Sequence, residues 1–273
     1  MKNSLEIRID KLKERGYELP LSKILEDSFT IWKKIIFYGI FYILFSYLFN
    51  NLVTTFFSNI LGTHSIDSEF SESIMRLSED PYAFQKMVSQ FQEYINNPLI
   101  IKKTLLSSLV SLLIYPMGAG VIFCAYQADK NGAASFKDLF KGFQGNKFLN
   151  LIGLTLVFTI VMIISMFLLF IPAIYLTPAF ILAGAFIVID DVPLLQAVKS
   201  SFQVVNIRFR QVLLILIISF LISKVLGFLL CIIGLIFTLP FSFAVVYSIY
   251  KNTLGTVETT VEYSTINEPC AND

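Results

Sequence analysis

One histidine, His64, and three cysteines, Cys124, Cys231 and Cys270, are all this chain offers for soft-metal or thiol chemistry. No two cysteines stand at the short spacing of a zinc or redox site, so they read as reduced, structural residues. Di-iron membrane oxygenases and carotenoid-cleaving oxygenases hold iron through several histidines, and a zinc protease needs a His-Glu-x-x-His helix. A chain with a single histidine supplies none of these. A serine–histidine dyad would have to use His64, and no elbow motif surrounds a serine. Gly118-Ala119-Gly120 follows Pro116, but lacks the preceding strand and final glycine of a phosphate loop. It reads as a kinked, closely packed helix. The sequence points to no catalytic residue, no metal and no cofactor.

The remaining chemistry would lie in charges within apolar stretches, which are costly there and mark ion or solute paths. Lys224 is the one charge between Gln211 and Tyr250. At the outer end of a span it can snorkel to water; facing inward it would contact a solute. Asp190-Asp191 closes another apolar stretch and reads as an exposed cap. Asn50, Asn51, Thr54 and Thr55, with the breaks at Pro116 and Pro240, could line a cavity. Interhelical hydrogen bonds and kinks would need the same residue types.

These residues sit on long apolar elements. Phe148 to Ile189 is a run of 42 residues without a charge, roughly 60 Å as helix, about twice the hydrocarbon thickness of a bilayer. Pro172 and Pro178 near its middle predict a turn and thus a transmembrane hairpin. Hydrophobic residues make up 55% of the chain and charged residues 15%, with mean hydropathy +0.70, well below the charge content of soluble domains. The net charge of +1 suggests no nucleic-acid partner. The polar N-terminus lacks the apolar core of a signal peptide.

Six spans are expected, near 35–61, 104–126, 149–171, 174–189, and two sharing 211–250. Residues 1–20 form a cytoplasmic N-terminal segment, 21–252 the membrane domain, and 253–273 a disordered cytoplasmic tail. Sixteen of the 21 Lys and Arg residues fall on one side of this arrangement, placing both termini in the cytoplasm. The outer loop, 62–98, is acidic and expected to fold. Asp80-Pro81 is a good helix start, and Phe84, Met87, Val88, Phe91 and Ile95 recur on one helical face. That face is expected to act as a lid over the spans; membrane-surface and partner docking are the alternatives.

A pattern recurs three times on the inner side. Ile24 to Phe29 leads into Trp32-Lys33-Lys34; Phe136 to Gln144 into Asn146-Lys147; Leu195 to Gln203 into Asn206 to Arg210. Each reads as a short interfacial amphipathic helix before a helical hairpin, with Phe29, Phe143 and Phe202 in equivalent places. The fold class is therefore an all-α membrane protein of six transmembrane helices in three repeats.

Three stretches carry a resemblance: Ala133-Ala134-Ser135-Phe136 with Leu139-Phe140, Phe170 to Leu176, and Ala197 to Ser201. In these the chain resembles the uncharacterised bacterial six-span proteins grouped with the membrane domain of glycerophosphoryl diester phosphodiesterases. The resemblance spans about residues 20–255. It implies a bacterial cytoplasmic membrane and no catalytic residues, and the phosphodiesterase barrel itself is absent.

The sequence thus favours a non-enzymatic inner-membrane protein whose partners are the lipid bilayer and a membrane or cytoplasmic protein, with a role in binding or envelope maintenance. The alternative is a transporter or channel for a small apolar or amphipathic solute, which internal repeats also suit. Lys224, Phe29, Phe143, Phe202 and Pro116 are the candidate contact residues.

Overall fold

The computed structural model describes residues 4–76, 83–227 and 233–255. Within them every regular element is helical. Asp80-Pro81, Cys231, Cys270 and the tail beyond residue 255 lie outside the described residues. Four helical stretches are long and apolar enough to cross a membrane: Leu21–Leu61, Pro98–Lys130, Asn146–Phe167 and Ile171–Asp190. A fifth arises if Leu194–Ile207 and Phe209–Val225, bent by 98° at their junction, count as one span. The chain is an all-helical membrane protein. It divides into two compact units, Met1–Ile43 with Tyr115–Asp273, and Leu44–Ile114.

The first unit begins with α1 (Ser4–Arg15) and the first half of α2 (Leu21–Leu61). It resumes with α6 (Tyr115–Lys130), a 3-10 helix (Phe136–Phe143), α7 (Asn146–Phe167), α8 (Ile171–Phe180) and α9 (Ala183–Asp190). Then come α10 (Leu194–Ile207), α11 (Phe209–Leu221), a π-helical turn (Ile222–Leu226), α12 (Ile233–Thr238), α13 (Phe241–Tyr250) and a last π-helical turn (Lys251–Gly255).

Burial sorts these helices into two kinds. In α6 every residue from Pro116 to Ala125 is buried, in α9 every residue from Ala183 to Val188, and in α13 Phe241 and all from Ala244 to Tyr250. These three pack on one another, and their small residues let the backbones approach. A Cβ on Gly120 would lie 1.8 Å from the Leu139 carbonyl oxygen, and one on Gly142 2.2 Å from that of Pro116. Glycine at both positions is therefore what lets the 3-10 helix lie against α6. By contrast α7 and α11 expose Ile160, Ile163, Phe167, Leu214, Ile217 and Phe220, as lipid-facing helices do.

Several expectations change. Ile24–Lys34 is not a separate interfacial helix, because it runs unbroken into the span as α2, which at 41 residues extends for about 61 Å. The second such segment is 3-10 rather than α-helical, fixed by a Ser135–Asp138 capping box. Only the third, α10, is an α-helix set at a sharp angle to its span. The hairpin turn lies before the prolines, at Leu169 and Phe170 with φ of 54° and 61°. Pro172 opens α8, where a missing N–H costs nothing, and Pro178 sits inside it.

The polar N-terminal segment is structured. Leu5, Ile9 and Leu12 of α1 are buried against α10 and the last π-helical turn. The segment after it is tied down as well. The Tyr17 hydroxyl donates to the Val204 carbonyl at 2.8 Å, and Arg208 Nε donates to the Tyr17 carbonyl at 2.9 Å. Burial pushes the Tyr17 phenol well above its ordinary range, against the pull of Arg208.

The second unit holds the rest of α2, then α3 (His64–Arg76), α4 (Ala83–Asn96), α5 (Pro98–Ser111) and a 3-10 turn (Leu112–Ile114). The outer loop is thus helical, and Asn97 caps α5 through the Leu99 N–H with Pro98 at its start. On α4, Phe84, Met87, Val88, Phe91 and Ile95 are exposed. Among the described residues of this unit the buried apolar side chains are Val53, Ile100 and Ile114.

Candidate functional site

A proline precedes or opens the N-terminal end of each of the three buried stretches: Pro116 is the second residue of α6, Pro178 lies in α8 five residues before α9, and Pro240 stands immediately before α13. Pro116, Pro178 and Pro240 recur at 62-residue intervals. A cavity of about 340 Å³ lies among these ends. Gly118, Ala119 and Ile122 line it from α6; Phe180, Ile181 and Gly184 from the α8–α9 stretch; Ser242, Phe243 and Val246 from α13. Counted from its own proline, each helix contributes the second, third and sixth residues. Tyr42, Leu154 and Phe158 complete the wall, with Tyr115 and Thr177, each immediately before a proline.

The geometry follows from the breaks. Proline removes a backbone donor and disturbs the preceding turn. A 3-10 turn precedes α6, residues 181–182 interrupt α8 and α9, and Leu239-Pro240 separates α12 from α13. Gly118 and Ala119 follow the break before α6, Ala183 and Gly184 that before α9, and Ser242, between two phenylalanines, that before α13, so a space stays open. Tyr42 closes it on one side, its hydroxyl 3.0 Å from where a Gly118 Cβ would stand. Gly39 lets α2 approach Pro240, since a Cβ there would lie 2.4 Å from the proline ring.

Among the described residues the lining carries no charged side chain. It is apolar except for four hydroxyl residues, Tyr42, Tyr115, Thr177 and Ser242. Among the described residues the hydroxyls of Tyr115, Thr177 and Ser242 have no hydrogen-bond partner, although all three residues are accessible. An unpaired hydroxyl in an apolar medium costs free energy, so this cavity is suited to something that pairs with it.

The opposite ends of the same helices are charged. Asp129, Asp190 and Lys251 recur at 61-residue intervals. Asp129 accepts from the Tyr247 hydroxyl and from Lys251 Nζ, both at 2.9 Å. Asp190 is ion-paired to Arg8, both side chains 7% exposed, and accepts from the Tyr250 hydroxyl at 3.2 Å. Asp190 is thus not an exposed cap, because α1 covers it. Burial alone would lower the Arg8 pKa, but Asp190 outweighs it and raises it. Asp191 is the exposed member, and Lys147 Nζ approaches it at 2.6 Å. Asn252 donates to Asp27 at 2.9 Å. These charges are matched within the fold, and among the described residues no three His, Cys, Asp or Glu side chains group as a metal site would.

The second unit has its own polar cluster. Asp67 accepts from Lys103 Nζ at 2.6 Å, the Tyr94 hydroxyl at 2.7 Å and the Ser58 hydroxyl at 2.8 Å. Burial alone would raise the Asp67 carboxyl, but the hydrogen bonds from Lys103, Tyr94 and Ser58 outweigh it and hold it below its ordinary value. Burial and the bond to Asp67 raise the Tyr94 phenol. Asn50 accepts from Ser111, so this polar residue of α2 joins helices rather than lining the central cavity.

The sequence candidates scatter. Pro116 is buried at the head of α6, beside the cavity. Lys224 is exposed in its π-helical turn and is absent from the cavity wall. Phe29 packs on Phe241 at 4.8 Å between ring centroids, Phe143 near Phe148 at 5.9 Å, and Phe202 near Phe180 at 5.4 Å. None of the three is fully buried. Phe202 also borders a surface groove along α10 with Leu194 and Val198. The proline interval and the shared offsets were the missed signal.

Neither a protein-family model, nor a curated protein, nor a solved structure matches the chain.

Proposed function

We propose that this chain is a non-enzymatic, six-span protein of the bacterial cytoplasmic membrane. Three repeats form it, and it binds a small apolar or amphipathic molecule in the cavity among α6, α8–α9 and α13. One observation carries the reading: three helices present the same three positions after a recurring proline to one uncharged space. Repeats that face a shared axis give a site that no single repeat can form, as membrane proteins with internal repeats do at mid-bilayer. A volume of 340 Å³ is at the small end of ligand sites. The charged ends at Asp129, Asp190 and Lys251 support an inner side there, and both termini in the cytoplasm. The resemblance to the membrane domain grouped with glycerophosphoryl diester phosphodiesterases fits this reading and adds no catalytic role.

The test is photolabelling in nanodiscs with a hydrocarbon diazirine. Labelled peptides should include 115–126 and 241–250, and Val246→Phe should abolish that labelling. Label confined to the outward residues Ile163, Ile217 and Phe220 would overturn the site. Turnover of any substrate, lost on a single substitution, would overturn the non-enzymatic reading. Single cysteines at Asn96 should react from outside, and those at Asn131 and Gln203 should not; outside labelling of Asn131 would reverse the orientation.

A transporter for the same class of molecule is the second reading. It is favoured by the helix breaks at residues 181–182 and 239–240, beside the cavity. Flux into proteoliposomes that stops with Val246→Phe would establish it.

A further inference from the structure

Resting on that reading of the cavity, we infer that its ligand is electrically neutral: one short apolar chain or ring ending in a hydroxyl or carbonyl group. The wall divides by depth. Tyr115 and Thr177 stand one residue before their prolines and Ser242 two residues after its own; Ile122, Gly184 and Val246 stand six after theirs. Along α6 seven residues separate the two levels, about 10 Å, and along α13 four residues, about 6 Å. One end of the space therefore offers hydroxyls and the other offers hydrocarbon.

The hydroxyls set the class of ligand head. They donate and accept but carry no charge, and among the described residues those of Tyr115, Thr177 and Ser242 have no partner in the protein. A neutral hydroxyl or carbonyl can satisfy them. A carboxylate, phosphate or ammonium would be taken from water into an apolar wall without a counter-charge, which is far more costly. The charges at the other ends of the helices do not supply one. Asp129 and Asp190 are already bonded to Lys251 and Arg8, and in α6 Asp129 is 14 residues from Tyr115, about 21 Å along the axis. Size sets the class of ligand body. At roughly 30 Å³ per water, 340 Å³ equals about eleven waters. That holds one short chain or small ring system, and excludes a two-tailed phospholipid.

The experiment is competition against the diazirine label in nanodiscs, with 1-dodecanol, dodecane, dodecanoate and dodecyltrimethylammonium as probes. Dodecanol should displace the label from 115–126 and 241–250 at least about tenfold more effectively than either charged probe. Its advantage over dodecane should disappear in Thr177→Val with Ser242→Ala, while the label itself remains. Gly184→Val should weaken all four probes; a Cβ at Gly184 meets only Leu154, at 3.9 Å, so that variant keeps the fold should Val246→Phe fail to assemble. Displacement by dodecanoate or dodecyltrimethylammonium as effective as by dodecanol would overturn the neutral-ligand inference and leave the site standing. An alcohol advantage that survives the double variant would overturn the role of these hydroxyls. Absence of label from the cavity would overturn the site, and this inference with it.

Discussion

The two units of this protein are held together by different physics. In the first, three helices bury almost every residue on all sides, and glycines bring backbone against backbone. In the second, the end of α2 and three helices of 13 or 14 residues bury only Val53, Ile100 and Ile114 among their described apolar residues, and Asp67 gathers hydrogen bonds from α2, α4 and α5. Where the bilayer is the solvent, apolar burial between helices brings little net gain and close packing decides. Where packing is thin, a few satisfied polar groups carry the specificity instead.

The sharpest way to break this contrast is to overfill the first unit. Gly120→Val puts a branched side chain where even a Cβ would meet the Leu139 carbonyl at 1.8 Å. Backbone cannot yield as a side-chain tip can. A loss of more than about 3 kcal/mol is expected, read as failure to recover monodisperse protein. A variant that purifies normally with an unchanged thermal midpoint would show that the packing is looser than described.

A smaller effect is expected in the second unit. Lys103→Met removes one of four donors from Asp67, the others being Tyr94, Ser58 and Thr63, and should cost about 1–3 kcal/mol. It should speed proteolysis within residues 62–97 while the thermal midpoint of the first unit stays put. Equal loss in both units would mean that the division is not a division of stability.

Acid should do part of the same work. Asp67 titrates below its ordinary value of 3.8, so the carboxylate stabilises the folded form in full above that value. The contribution is lost as pH falls through the lower folded value. Faster proteolysis of 62–97 should therefore appear only in strong acid, and should be absent between pH 5 and 8. Sensitivity already at pH 5 would sink the assignment. The smallest effect belongs to Lys224→Gln. Lys224 is exposed and outside the cavity wall, so stability and photolabelling should hold to within about 0.5 kcal/mol. Loss of label would make Lys224 part of the site after all.

Much of the fold was legible along the chain. The charge-free run from Phe148 to Ile189 became α7, α8 and α9, and the periodicity of Phe84 to Ile95 became α4. The turn residues were misread, because proline marks where a helix can start as well as where it stops. Leu169 and Phe170 take the left-handed turn, a conformation that nothing in their side chains announces. α1 was missed for a different reason. Leu5, Ile9 and Leu12 have helical spacing, but a short polar segment forms a stable helix only when a partner surface covers that face.

The candidate site divides in the same way. Composition, charge distribution and apolar run length are properties of the chain itself, so the sequence alone determined a helical membrane protein. The recurring proline was also written there, since a 62-residue interval needs no coordinates. Which side chains meet is another matter. Arg8 and Asp190 are 182 residues apart, and no local period links them. The hydroxyls of Tyr115, Thr177 and Ser242 share a space only because three helices pack at their ends. Periodicity states which face of a helix is apolar, but only packing decides whether that face meets lipid, another helix or a cavity.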